Sequence, residues 1–278
     1  MKRLASLALA SSAVLAVPCA YAGYEQWLPE GQLFPALVAP TIEANNYISD
    51  VQFDTDASGN INIAMVAVGN DFGFYRRETD RWGAFQIGLF ADFQAQFNMN
   101  TSNQALVNAD YFVGFPITWR HDAWSARLRL FHQSSHLGDE FILSGDAPER
   151  ENLSYEAADL LLGYDLPSGW RIYAGGIYVL RKQWDALGDL GAQAGAEYAS
   201  PATNVLRGHW FGALAFKWTQ AFDNDPQTKV MAGVRWGGET PEQRSVTLAL
   251  IAFHGAVPFG QFFDATADFY GFQMLFTP

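Results

Sequence analysis

The chain has 278 residues, 29 of them acidic and 17 basic, for a formal charge of −12. That balance, without a clustered basic stretch, excludes a nucleic-acid footprint. Aromatic residues make up 15% and charged residues only 17%, against roughly 25% in an ordinary soluble domain, yet no stretch beyond the N-terminus reaches the ~18 continuous apolar residues of a membrane helix.

Lys2 and Arg3 precede an apolar run, Leu4 to Val17, and Ala20-Tyr21-Ala22 stands before Gly23. A basic start, a short hydrophobic stretch and an A-x-A-like exit predict a secretory signal peptide over residues 1–22. Val17-Pro18 ahead of Cys19 is a poor lipoprotein signal, so cleavage after Ala22 is preferred. Cleavage there removes the only cysteine and leaves an exported chain without a disulfide. Residues 23–45 carry no clear period and are expected to form an irregular periplasmic segment ahead of a single domain, 46–278.

From residue 46 onward the period is two. Strands are predicted at Asn46–Asp54 and Asn60–Tyr75, then from Phe85. There Phe85, Ile87, Leu89, Ala91 and Phe93 share one face, and Gln86, Asp92, Gln94 and Gln96 the other. Val107 to Trp119 repeats the alternation. Trp124–Ser135 has Trp124, Ala126, Leu128 and Leu130 opposite Ser125, Arg127 and Arg129. Leu153–Leu166, Arg171–Gln183, Ala192–Ser200, Trp210–Phe222, Thr228–Trp236, Ser245–Val257 and Ala267–Phe276 follow. These runs exceed the ~5–6 residues of a globular strand and suit the ~9–11 that cross a bilayer at a tilt. The expected fold is an all-β, antiparallel transmembrane β-barrel of about twelve strands, an even number as in bacterial barrels.

A periplasmic β-sandwich is the alternative of similar size. Two features favour the barrel. Trp82, Trp119, Trp124, Trp170, Trp210 and Trp236 all fall near turns at one end, as in an interfacial aromatic girdle. Arg120, Arg127 and Arg129, with Asp92 and Asp110, point to the apparent interior, which is costly in a dry core and natural in a polar lumen. They would either select ions in a pore or salt-bridge a narrow, filled barrel.

One cluster could carry chemistry. Continuing the parity of Leu128 and Leu130 puts His132, Ser134 and His136 on the lipid face, where polar groups are unfavourable without a purpose. At ~2.5 Å of climb per tilted residue, Ser134 sits roughly 25 Å above Trp124, at the level of outer-leaflet esters. On the returning strand the even positions are mainly apolar, so Glu156 also faces lipid, at a similar height. A serine needs a base and the base an orienting carboxylate. The predicted roles are Ser134 as nucleophile, His132 as base and Glu156 as orienter, with His136 as an alternative base and the Gly138 N–H as a candidate oxyanion donor. The plain alternative is a polar rim that contacts lipopolysaccharide.

His132-Gln133-Ser134 is similar to the His-x-Ser of outer-membrane phospholipase A and of the lipid A deacylase barrels. That resemblance implies acyl-ester hydrolysis from the barrel exterior with Asn or Glu as third member. The Asn-Gly that commonly follows the family serine is replaced here by Ser135-His136. More broadly, Leu33-Phe34-Pro35 to Pro40, the run from His132 to Phe141, and Asn152 to Ala157 resemble signatures of a Gram-negative outer-membrane family known only as a domain of unknown function. That resemblance implies an outer-membrane barrel and assigns no activity.

The loop 138–152 holds Asp139, Glu140 and Asp146, hard oxygen donors that suit Ca²⁺; a solvated acidic loop is the alternative, because no EF-hand spacing is present. His121, His209 and His254 show no zinc spacing. The reading is thus an outer-membrane lipid hydrolase, with a non-enzymatic pore or structural barrel as its rival. Expected partners are membrane lipids, lipopolysaccharide and the outer-membrane assembly machinery, with a homodimer left open.

Overall fold

The computed structural model describes residues 23–40, 42–43, 45–55, 59–145, 147, 152–184, 187–203, 206–220, 225–237, 244–262 and 264–277. The expected leader, residues 1–22, lies outside them. The strands are β1 (Tyr24–Trp27), β2 (Asn46–Thr55), β3 (Gly59–Thr79), β4 (Gly83–Asn98), β5 (Leu106–His121), β6 (Trp124–Leu137), β7 (Ser154–Asp165), β8 (Trp170–Lys182), β9 (Leu190–Thr203), β10 (His209–Thr219), β11 (Gln227–Gly237), β12 (Ser245–Ala256) and β13 (Thr266–Thr277). A short helix, α1 (Asp139–Ser144), follows β6.

Strands β2 to β13 each pair antiparallel with their sequence neighbours, and β13 pairs back onto β2, so the sheet closes as a 12-strand barrel. A closed sheet has no edge, and in lipid every backbone group must find a partner within the protein. The burial pattern is inverted relative to a soluble protein. Arg127 is 1% and Asp159 0% exposed, whereas Phe115 and Phe272 are each 60% exposed. Water would reverse that preference; a bilayer around the wall accounts for it. A single closed sheet with its apolar residues outside excludes the two-layer sandwich. The six girdle tryptophans all lie at strand ends or turns on the side shared by both termini of the barrel.

The interior has two halves. On β4 to β7 it is polar, with Gln86, Gln94, Gln96, Arg127, Arg129 and Asp159 buried. On β10 to β13, β2 and β3 it is apolar, built from Val51, Phe53, Met65, Phe211, Met231, Ile251, Phe253 and Phe269. The polar lumen that the arginines suggest is therefore found on one half of the wall. On part of the second half, as in β12, both faces are apolar, so no alternation of polarity marks the inside there.

The stretch 23–45 runs into the barrel. β1 pairs with the end of β3 (Trp27 opposite Tyr75), and β2 joins the same edge of β3 further along (Tyr47 opposite Ala67). Between them the chain leaves the wall and enters the lumen, where Phe34, Leu37 and Glu43 are 0–1% exposed. Wall arginines hold its carbonyls: Arg76 donates to Glu30 and Gly31 (3.1 and 2.9 Å), Arg120 to Leu33 (3.2 Å), Arg171 to Pro35 (3.0 Å) and Arg129 to Ile42 (3.0 Å). Arg127 forks onto the Glu43 carboxylate, with both bonds 2.7 Å long. Asp159 pairs with Arg129, and Asp165 with Arg120.

Of the interior charges expected to pair with these arginines, Asp92 instead accepts from Gln94 (2.7 Å) and Asp110 from the Gly260 N–H (3.1 Å). The opposite mouth is covered by the segment around Gly260, where Gln261 donates to the Ser135 carbonyl (3.0 Å) and Phe259 stacks on Phe53. The barrel is filled rather than open at both levels.

Candidate functional site

β6 fixes the outward cluster. Leu128 and Leu130 are 39% and 47% exposed on the lipid face, and Arg127, Arg129 and Phe131 are buried on the other. Two-residue alternation carries that face on to His132, Ser134 and His136. Register does the rest. His132 lies opposite Val113 on β5 and Glu156 on β7, and Ser134 opposite Tyr111 and Ser154.

His132 Nδ1 lies 3.1 Å from Glu156 Oε1, and both side chains are 39% exposed. In the neutral ring, Nδ1–H donates to the carboxylate and the lone pair is left on Nε2, which is the tautomer a base requires. Ser134 stands two positions along on the same face, and its hydroxyl makes no hydrogen bond among the described residues. The histidine and the carboxylate are thus joined. The serine and the histidine are neighbours without a bond, a separation that free enzymes often show before substrate tightens the geometry.

Arg181 of β8, missed in the sequence, reaches Glu156 at 3.9 Å with its own side chain 73% exposed. The signal that conceals it is a register shift between Glu156 and Ala157, which breaks the parity of β8 relative to β7. His136 sets its ring edge-on to Tyr111 at 5.8 Å and bonds to no carboxylate among the described residues. The Gly138 N–H donates to the Val107 carbonyl (3.0 Å), so it is not the free oxyanion donor the sequence suggested. A Cβ at Gly138 would sit 1.9 Å from the Leu106 carbonyl oxygen, so packing explains this glycine.

Asp139 and Glu140 open α1 and are exposed; Asp146 lies outside the described residues. Among the described residues no three His, Cys, Asp or Glu side chains come together. Of the remaining histidines, His209 Nδ1 contacts the Ser200 carbonyl (2.6 Å) and His254 Nδ1 contacts Asp268 (2.7 Å).

Beside His132 and Ser134 the outer wall is hollowed into a shallow, mainly apolar trough of about 720 Å³, within the range of small-molecule sites. It extends over β5, β4 and β3 as far as Asn46.

A family model described as "Protein of unknown function (DUF1207)" matches residues 11–277. No curated protein matches the sequence. Among solved structures, outer membrane phospholipase A from Escherichia coli is similar at a TM-score of 0.54 and 10% identity, over 84% of this chain and 89% of that one. The Salmonella typhi outer membrane phospholipase dimer with bound calcium is similar at a TM-score of 0.55 and 10% identity, over 88% and 92%. At these identities the likeness is one of fold.

Proposed function

The chain belongs to the DUF1207 family, and from its outward cluster we propose that it is a serine hydrolase that cleaves acyl esters of outer-membrane lipids. It is an outer-membrane β-barrel by fold; export by the leader at residues 1–22 belongs to the proposal. The observation that carries the reading is the 3.1 Å contact of His132 with Glu156 on the lipid-facing wall, with Ser134 beside it on the same face. Polar groups on such a wall are costly, and a base already held by a carboxylate next to an unengaged hydroxyl is the arrangement nucleophilic catalysis requires.

In the proposed reaction Ser134 Oγ attacks the ester carbonyl carbon while His132 Nε2 accepts the hydroxyl proton. Collapse of the tetrahedral intermediate breaks the bond to the alcohol oxygen, and His132 returns the proton to that leaving group. Water, deprotonated by His132, then releases the acyl group as a fatty acid and restores Ser134. Glu156 holds the ring and stabilises its charged form.

The rival is a non-enzymatic pore or structural barrel; the filled lumen speaks against a pore, and hydrolysis separates the proposal from a structural barrel. The test is fatty-acid release from phosphatidylcholine–detergent micelles by the wild type and by Ser134→Ala. Release by the wild type alone is expected; equal release, or none from either, overturns the proposal.

A further inference from the structure

The trough beside Ser134 has a direction. Its upper row follows one line of paired residues, Ser134 on β6, Tyr111 on β5, Phe93 on β4 and Val68 on β3. The row below it is His132, Val113, Ala91 and Asn70. The small side chains at Ala91 and Val113 make the hollow. At the far end Asn46 folds back on the peptide of Gly69, donating to its carbonyl (3.1 Å) and accepting from its N–H (3.3 Å). That exchange satisfies the polar groups where β2 begins, so the trough ends closed instead of presenting free backbone.

The line also has a slope. Followed one way from Ser134 it meets Ser154, the first residue of β7 at the outer mouth. Followed the other way, past Asn46, it passes Phe276 and Val246 and meets Trp236 of the opposite girdle. It therefore descends through the membrane from Ser134 towards Asn46. Four strand-to-strand steps of ~4.8 Å at a tilt of ~40° drop it by about 12 Å, most of the ~15 Å of one leaflet.

We infer that this trough is the acyl subsite of a glycerophospholipid, with the ester at Ser134 and the chain running down the wall over Phe93 and Ala91 towards Asn46. The inference rests on the hydrolase reading for where the ester sits. A membrane lipid enters water-side first and tail downwards, which is the order of groups along this line. Arg181, exposed beside Glu156, offers one cation at the upper end, matched to a single phosphodiester.

The test uses the full-length protein carrying Ser134→Ala, in phosphatidylcholine vesicles doped with phosphatidylcholine bearing a diazirine midway along one acyl chain. Adducts are mapped after illumination. They are expected to concentrate on Ala91, Phe93 and Val68 over Leu250 and Phe272 of the opposite wall, and to fall at least threefold there in Ala91→Trp. Adducts spread evenly around the wall, or adducts missing from Ala91, Phe93 and Val68, overturn the inference. A second readout is the ratio of long-chain to short-chain ester hydrolysis by otherwise native protein, which Ala91→Trp should lower about tenfold. Concentrated adducts without any hydrolysis would sink the enzyme and leave the lipid site standing. Hydrolysis with even adducts and an unchanged ratio would sink the subsite and leave the enzyme.

Discussion

Arg127 on β6 and Glu43 on the lumen segment, 84 positions apart, share two parallel 2.7 Å hydrogen bonds, and each side chain is 1% exposed. The forked geometry is the strongest an arginine can make with a carboxylate. Removing the carboxylate leaves the guanidinium of Arg127 buried with, among the described residues, the more distant Asp159 carboxylate at 3.6 Å. Glu43→Gln should therefore destabilise the folded barrel by about 3 kcal/mol, the lower end for breaking a buried pair. Urea titration followed by the mobility shift of folded barrel on a gel measures it; an unchanged midpoint would show that the pair contributes nothing.

Glu43 also sets a pH dependence, and it sits on the lumen segment rather than on a spanning strand. Burial alone would push its carboxyl up, but Arg127 and Arg129 outweigh burial and hold it below the usual carboxylate range. A depressed folded value means that the stabilisation is complete above the unfolded carboxylate value of about 4.3 and is lost as pH falls through the folded value. Protease cleavage within residues 28–43 should rise on acidification in the wild type. In Glu43→Gln it should be high at neutral pH and nearly independent of pH.

The filled lumen predicts electrical silence. Wild-type protein in a planar bilayer should show no sustained conductance. Replacing residues 31–43 by a short Gly-Ser bridge removes Phe34, Leu37 and Glu43, the most deeply buried part of the insert, and should give steady conductance if the shortened barrel folds. Folding is checked by the same gel shift, and a conducting wild type would contradict the filled interior.

The outward cluster makes a graded prediction. His132→Ala should lower kcat on micellar phosphatidylcholine by about 10²–10⁴-fold. Glu156→Ala should fall by a smaller factor and shift the pH profile, because it acts through the ring it touches at 3.1 Å. His136→Ala, which touches Tyr111 rather than a carboxylate, should remain near the wild type. A collapse in His136→Ala with His132→Ala active would reassign the base.

The strands were legible because Leu128, Leu130 and their counterparts repeat every second residue against polar neighbours. The same parity placed His132 and Ser134 outside, and the return of β7 brought Glu156 level with them. The lumen segment was not legible: Phe34 to Glu43 has no period, and its partners Arg127 and Arg171 lie far along the chain, so only closure of the barrel brings them together. The apolar half of the interior was hidden for another reason. In β12 the buried Ala249, Ile251 and Phe253 alternate with the outward Leu248, Leu250 and Ala252, and hydrophobicity alone cannot tell lumen from lipid. Arg181 was lost to a bulge, which resets parity without leaving a mark in composition.

Because β1 and β2 grip the same flank of β3, the insert between them is anchored at either end to the wall it fills. It cannot slide out as a free tail would. The seam where β13 meets β2 joins the last strand to the strand that emerges directly from the insert. Seven of the described residues from Leu33 to Glu43 are buried, and passing them beneath a sealed hoop would be far harder than laying them down first, so the insert is expected to be in place before the β13–β2 seam closes.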